Sequence, residues 1–157
     1  MLLFEVPNII KIFYEKENEL IIHEWLEYNP DDQDNIIFEI LQNIYDIFLA
    51  YPVEKVIVKT DQTKGVFTPS AQEYIRDVQF PRLLADTKLQ YVATIKSEDK
   101  MKQIGALLWQ KQFKEGAEII LHDVRTEKEA RAWLKTISSM QDCKSSVSKK
   151  AKSRGNH

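Results

Sequence analysis

Two histidines lie within runs rich in β-branched and aromatic residues. His23 falls in Leu20-Ile21-Ile22-His23-Glu24-Trp25-Leu26, and His122 ends Glu118-Ile119-Ile120-Leu121-His122. On a strand, either imidazole is able to serve as a base or a metal ligand. A metal centre needs three or four ligands at workable spacing, and no local His/Cys/Asp/Glu cluster supplies them. A partly exposed or hydrogen-bonded structural histidine is therefore the expected role of both, with no metal and no cofactor. Asp123 and Arg125 stand together at a strand end, where a solvated turn is expected rather than a polar site. Cys143 lies in a Ser/Lys-rich stretch where nothing lowers its pKa or positions a substrate, so it is not read as a nucleophile. No catalytic constellation emerges, and an enzyme is not expected. Apolar chemistry is better represented. Met101, Ile104, Leu108, Trp109 and Phe113 recur at helical spacing and form a wide face. Core packing is its first expected use, and an interface or an apolar ligand pocket its second.

The elements that would position these residues follow from periodicity and punctuation. Ile9–Tyr14 and Leu20–Leu26 are β-type runs separated by the polar segment Glu15-Lys16-Glu17-Asn18-Glu19, which predicts a hairpin. Asn29-Pro30-Asp31-Asp32 then opens a helix, with Ile36, Ile37, Ile40, Leu41, Ile44, Tyr45 and Phe48 on its buried face and Pro52 at its end. Three strand–helix units come next. Lys55–Thr60 precedes a helix starting at Thr68-Pro69-Ser70, where Ser70 and Glu73 have capping-box spacing and Pro81 is expected to break or kink the rod. Leu89–Lys96 precedes a helix capped by Ser97 and stopped at Gly116. Glu118–His122 precedes a helix capped by Thr126, with Glu129 completing a box and Ala130, Trp133, Leu134 and Ile137 on its buried stripe. Alternating strands and helices predict parallel pairing with right-handed crossovers. The expected fold class is α/β: a five-stranded mixed sheet, with an N-terminal antiparallel hairpin, three parallel β-α units and about four helices. Ligands and partners of such sheets use the loops beyond the carboxyl ends of the parallel strands, here Asp61–Phe67, Ser97–Asp99 and Asp123–Thr126.

Length and charge set the outer bounds. The 157 residues suffice for one domain, expected over 1–137. From Ser138 to His157, four Lys and one Arg against Asp142 give a net +4, so the rest carries −6 of the chain's −2. That basic Ser/Lys-rich tail has too few apolar residues to offset its ordering entropy and is expected to be disordered. It also lacks the aromatic residues of single-strand binders, and nucleic acid is not an expected partner. A single cysteine excludes an internal disulfide framework and fits a reducing compartment. No apolar run reaches the roughly 18–20 residues of a membrane span, and the opening Met1–Glu5 lacks a basic n-region. The expected location is cytoplasmic.

The order of elements and several short stretches resemble the SpoIIAA-like branch of the STAS domains, which contains anti-sigma-factor antagonists. The resemblance covers about residues 8–137. It rests on the hairpin ending in Trp25, on Val56-Ile57-Val58-Lys59-Thr60-Asp61, on Thr68-Pro69-Ser70, and on Phe80-Pro81-Arg82-Leu83-Leu84. It implies a non-enzymatic protein–protein interaction or regulatory module, self-associating as a homodimer. Its interaction loop would comprise Asp61, Thr63, Lys64, Thr68 and Ser70. Phosphorylatable antagonists carry an Asp-Ser pair followed by Gly at this place; here the chain reads Asp61-Gln62-Thr63-Lys64-Gly65. A phosphate on Thr63 would add nearly two negative charges beside Asp61, partly offset by Lys64. The related Sec14 group holds lipids. The alternative expectation is accordingly a small-molecule or lipid carrier, with an apolar ligand between helix and sheet. An enclosed apolar cavity of a few hundred cubic ångströms would favour that alternative.

Overall fold

The computed structural model describes residues 1–28, 34–97 and 119–137. The α/β class holds, built on a mixed sheet of six strands in sequence order. They are β1 (Leu2–Val6), β2 (Ile10–Glu15), β3 (Leu20–Trp25), β4 (Lys55–Lys59), β5 (Tyr91–Ile95) and β6 (Ile120–Val124). The first three pair antiparallel, and β3 to β6 pair parallel.

The strand beyond the expected five is β1. It is created by a turn in which Pro7 supplies the fixed φ of the second position and Asn8 takes φ 67° at the third. Ile9 N–H closes that turn on the Val6 carbonyl at 3.0 Å. The predicted hairpin between β2 and β3 is present, with Glu15 opposite Leu20. Its loop ends on Glu19 at φ 48°, and Asn18 Nδ2 donates to Glu15 Oε1 at 2.9 Å.

Three helical rods occur among the described residues, against the four expected. The first is α1 (Asp34–Ala50). The second runs continuously through α2 (Pro69–Tyr74), a π turn (Ile75–Gln79) and α3 (Phe80–Asp86). The third, α4, spans 127–137. The helix expected after Ser97 lies outside the described residues, as do the cap at Asn29-Pro30 and the tail from Ser138.

Pro81 does not break the second rod. Phe80 N–H bonds to the Ile75 carbonyl five residues back, so the widened turn precedes the ring that would otherwise collide with the preceding turn. The cap is Thr68 rather than Ser70: Thr68 Oγ1 accepts from Ala71 N–H at 3.2 Å and Pro69 takes the first helical position. At α4 the expected box forms. Thr126 Oγ1 accepts from Glu129 N–H at 3.1 Å, and Glu129 Oε2 accepts from Arg125 N–H at 3.0 Å.

Period-two alternation sends side chains to the two faces of the sheet. On one face Ile10, Ile12, Ile21, Trp25, Val56 and Val92 meet Ile37, Ile40, Leu41, Ile44 and Phe48 of α1 and Ala71, Ile75 and Leu83 of the second rod. Both β3–α1–β4 and the next crossover step in the same direction across the sheet, so right-handedness puts both rods on that face. On the other face Leu20, Ile22, Ile57, Ala93, Ile95 and Val124 meet Ala130 and Leu134 of α4. Arg131 ties α4 to the hairpin. Its guanidinium binds the Glu15 carboxylate through both terminal nitrogens, and that hydrogen bond above all holds the Glu15 carboxyl down to about 2.

Candidate functional site

A cavity of about 310 Å³ opens between the sheet and the two rods on the first face. Its floor is the strands: His23 and Trp25 from β3, Val56 and Val58 from β4, Val92 and Thr94 from β5, Leu121 from β6. Its roof is Leu41, Ile44 and Phe48 of α1 with Ile75, Gln79 and Leu83 of the second rod. The lining is mostly aliphatic and aromatic because both rods place their apolar stripes inward.

His23 is the exception in the floor. It is 5 % exposed, and Nε2 is the sole buried side-chain nitrogen or oxygen without a hydrogen-bond partner among the described residues. Its ring meets Phe48 edge-on at 5.7 Å. Burial alone drives its pKa down to about 3, so the imidazole is neutral at physiological pH. Several other polar lining groups have partners. Gln79 Nε2 donates to the Leu41 carbonyl at 2.9 Å, and its Oε1 accepts from Arg82 at 2.6 Å. Lys96 Nζ binds Asp123 Oδ2 at 3.1 Å, both only about one-fifth exposed.

Asp123 thus belongs to a strand rather than to a solvated turn. Register with β5 continues past His122, pairing Thr94 with Asp123 and Ile95 with Val124, because Val124 is buried and Asp123 finds Lys96. His122 is exposed and stacks on Trp133 at 4.8 Å. Trp133 is itself only half-buried, at the margin of the α4 contact. Among the described residues no group of three or more His, Cys, Asp or Glu is placed to hold a metal.

The loop after β4 closes one end of the cavity. It is stitched to the segment following β3: Lys64 N–H donates to the Leu26 carbonyl and Tyr28 N–H to the Lys64 carbonyl, both at 3.0 Å. Phe67 then packs edge-on against Trp25 at 5.4 Å and lies 4.1 Å from Tyr28. This arrangement buries Thr63, which was expected at the surface. Its Oγ1 donates to the Trp25 carbonyl at 2.7 Å. Desolvation raises the Tyr28 hydroxyl above the ordinary phenol value, and hydrogen bonds with Thr60 and Thr63 pull it partly back. Of the other residues expected in this loop, Asp61 is half-buried, Lys64 is exposed, Thr68 is spent on the helix cap and Ser70 is exposed on α2. Met101, Ile104, Leu108, Trp109 and Phe113 lie outside the described residues, as does Cys143.

Replacing Thr63 by valine is expected to cost about 1–3 kcal/mol, since it leaves the Trp25 carbonyl and the Tyr28 hydroxyl short of a partner. Thr63→Ser should restore most of it. Urea unfolding of the two variants beside the parent measures both; a cost for Thr63→Val below about 0.5 kcal/mol would show the loop to be a loose connection.

In comparisons with family models, with curated proteins and with solved structures, no match to this chain was found.

Proposed function

We propose that this protein is a binding module for an apolar small molecule, seated between the helices and the sheet. The observation that carries the reading is the cavity itself. Its volume of about 310 Å³ is within the usual range of ligand sites, about 300–1,000 Å³, and its composition is theirs: apolar walls and few polar groups. The apolar lining of this half-open hollow lacks packing partners on one side, and a ligand would supply those dispersion contacts. The reading is non-catalytic. His23 is desolvated and neutral, and Asp123, the one carboxylate among the described lining residues, is already bound to Lys96.

Naphthalene is a suitable probe. Its ten carbons at about 0.6 kcal/mol each, between the known limits for small ligands, give about −6 kcal/mol and a Kd of tens of micromolar. Calorimetric titration of the full chain should show one site per protein. Val58→Trp, which fills the floor, should weaken binding by at least about tenfold, equivalent to some 1.4 kcal/mol. If naphthalene neither binds the parent nor raises its melting temperature, the cavity is not a ligand site.

A self-associating interaction module on the STAS pattern is the second reading. Exposed Val66, 60 % accessible at the rim of the cavity, is the surface group that would serve it. Sedimentation of the full chain decides it: a dimer would favour this reading, and a monomer at all concentrations would remove it.

A further inference from the structure

The cavity floor is apolar at one end and polar at the other. It is built in cross-strand rows. Val56, Val92 and Leu121 stand side by side in register and are all aliphatic. Two residues further along, His23, Val58, Thr94 and Asp123 form a mixed row. Just past the ends of β4 and β5, Thr60 and Lys96 are polar. From Val56 to Thr60 the chain advances about 13 Å, so the gradient runs along the strands. The roof has the same polarity. Each rod leaves the carboxyl end of one parallel strand and returns to the amino end of the next, so Phe48 and Leu83, late in their rods, fall toward the aliphatic end. The one polar roof group between them, the Gln79 amide, is spent on the Leu41 carbonyl and Arg82.

We infer that the ligand is an uncharged amphipathic molecule lying along the strands, with its apolar body toward Phe48 and Leu83 and one hydrogen-bonding end group, a hydroxyl or its equivalent, against Lys96 and Asp123. This rests on the binding reading above and specifies the ligand's class and orientation.

Lys96 and Asp123 supply the partners of the end group. Their side chains keep 17 % and 20 % of their surface accessible, so neither is sealed off. An ammonium has three N–H donors, and a carboxylate accepts at both oxygens. Among the described residues, the contact between them uses one donor of Nζ and only Oδ2 of Asp123. Both donor and acceptor capacity remain at this end. A hydroxyl matches it, accepting from the ammonium while donating to the carboxylate. The pair also sums to no net charge. A ligand carboxylate drawn to Lys96 would be repelled by Asp123, an ammonium would meet the reverse, and either would give up its water. A plain hydrocarbon leaves the polar end unused.

2-Naphthol, naphthalene and 2-naphthoate share a skeleton and differ in the end group. Each is titrated calorimetrically at pH 7 into the full chain and into the double variant Lys96→Met/Asp123→Leu, which removes both charges so that neither is stranded. In the parent, 2-naphthol should bind about three- to tenfold tighter than naphthalene, the net effect of a hydrogen bond, and tighter than 2-naphthoate. In the double variant the advantage of 2-naphthol over naphthalene should disappear. A crystal of the parent with 6-bromo-2-naphthol gives a readout that needs no variant: the bromine should lie toward Leu83 and the oxygen beside Lys96. Equal affinities of naphthol and naphthalene in the parent, a naphthol preference that survives in the double variant, or a bromine at the Lys96 end would each overturn the assignment while leaving the cavity a ligand site. Tightest binding by 2-naphthoate would overturn the uncharged class. Failure of all three probes to bind the parent would overturn the binding reading itself.

Discussion

Acid should destabilise this protein through a single imidazole. His23 is held to about 3 in the folded state, against about 6.5 for an unburied histidine. Above pH 6.5 the ring is neutral in both states, and stability does not depend on it. As pH falls below 6.5 the unfolded chain takes a proton that the folded chain refuses. Each pH unit then costs about 1.4 kcal/mol, up to about 5 kcal/mol near pH 3, below which both states are protonated and the loss stops growing. Ordinary domains have only about 5–15 kcal/mol in hand, so the expected result is a marked loss of stability in mild acid that brings the protein close to unfolding near pH 3. Glu15 contributes in the same direction over a lower window. Its carboxyl, held at about 2 by Arg131, loses its stabilising effect as pH falls from the normal carboxylate range toward that value. His23→Phe separates the two. Urea unfolding between pH 4 and 7 should show a steep slope for the parent and a nearly flat one for the variant above pH 5. Parallel slopes would mean that His23 is solvated and that the cavity floor is wet.

Trp25→Ala should produce the largest loss from truncating one side chain at the cavity, about 3–5 kcal/mol. Trp25 is 5 % exposed at the end of β3. Its ring lies 5.2 Å from Tyr28 and 5.4 Å from Phe67. Its carbonyl anchors Thr63. Removing the indole takes the common partner from two aromatic rings that hold the loop after β4, and leaves a space that the pairing of Trp25 with Ile10 keeps from collapsing. The loss should also reach function, because Trp25 is part of the cavity wall. Thermal or urea unfolding measures the first effect and naphthalene titration the second. A cost below about 1 kcal/mol would show that the loop closes over the gap and that the aromatic cluster is not the seal of this end.

Much of the fold was legible because local signals and tertiary demands agree. Ile37, Ile40, Leu41, Ile44 and Phe48 repeat at helical spacing and are buried together. Val56 and Ile57 read as a strand and form one, with opposite faces in opposite cores. Strand β1 is not expected from the sequence because its five residues, Leu-Leu-Phe-Glu-Val, show no clear period-two alternation, and they gain their place by pairing with β2. Pro7-Asn8, standing between two apolar runs, is the turn signal that creates it. A space between helix and sheet follows only from the family resemblance; where the cavity lies and what lines it is not legible. It is the space between residues far apart in sequence, and no pattern announces where packing fails to fill. His23 was singled out as a structural histidine. What the sequence could not show is that its strand neighbours shield it from water and that no side chain reaches Nε2.

The π turn in the second rod has a geometric consequence for the cavity roof. Four residues of an α-helix rotate about 40° beyond a full turn, so positions spaced by four spiral slowly around the axis. Ala71, Ile75, Gln79 and Leu83 are spaced in this way, and ordinary winding would spread them over about 120°. Yet all four are buried, at 0 %, 3 %, 3 % and 4 % exposure. Five residues wound at roughly 4.4 per turn rotate about 18° less apiece, which cancels about 90° of that spread. The widened turn works as a vernier, bringing a drifting row back into line. Ile75, Gln79 and Leu83 then form a straight rail along the roof instead of a spiral that would carry Leu83 toward solvent. The number of residues between Ala71 and Leu83 is therefore constrained as tightly as their identities.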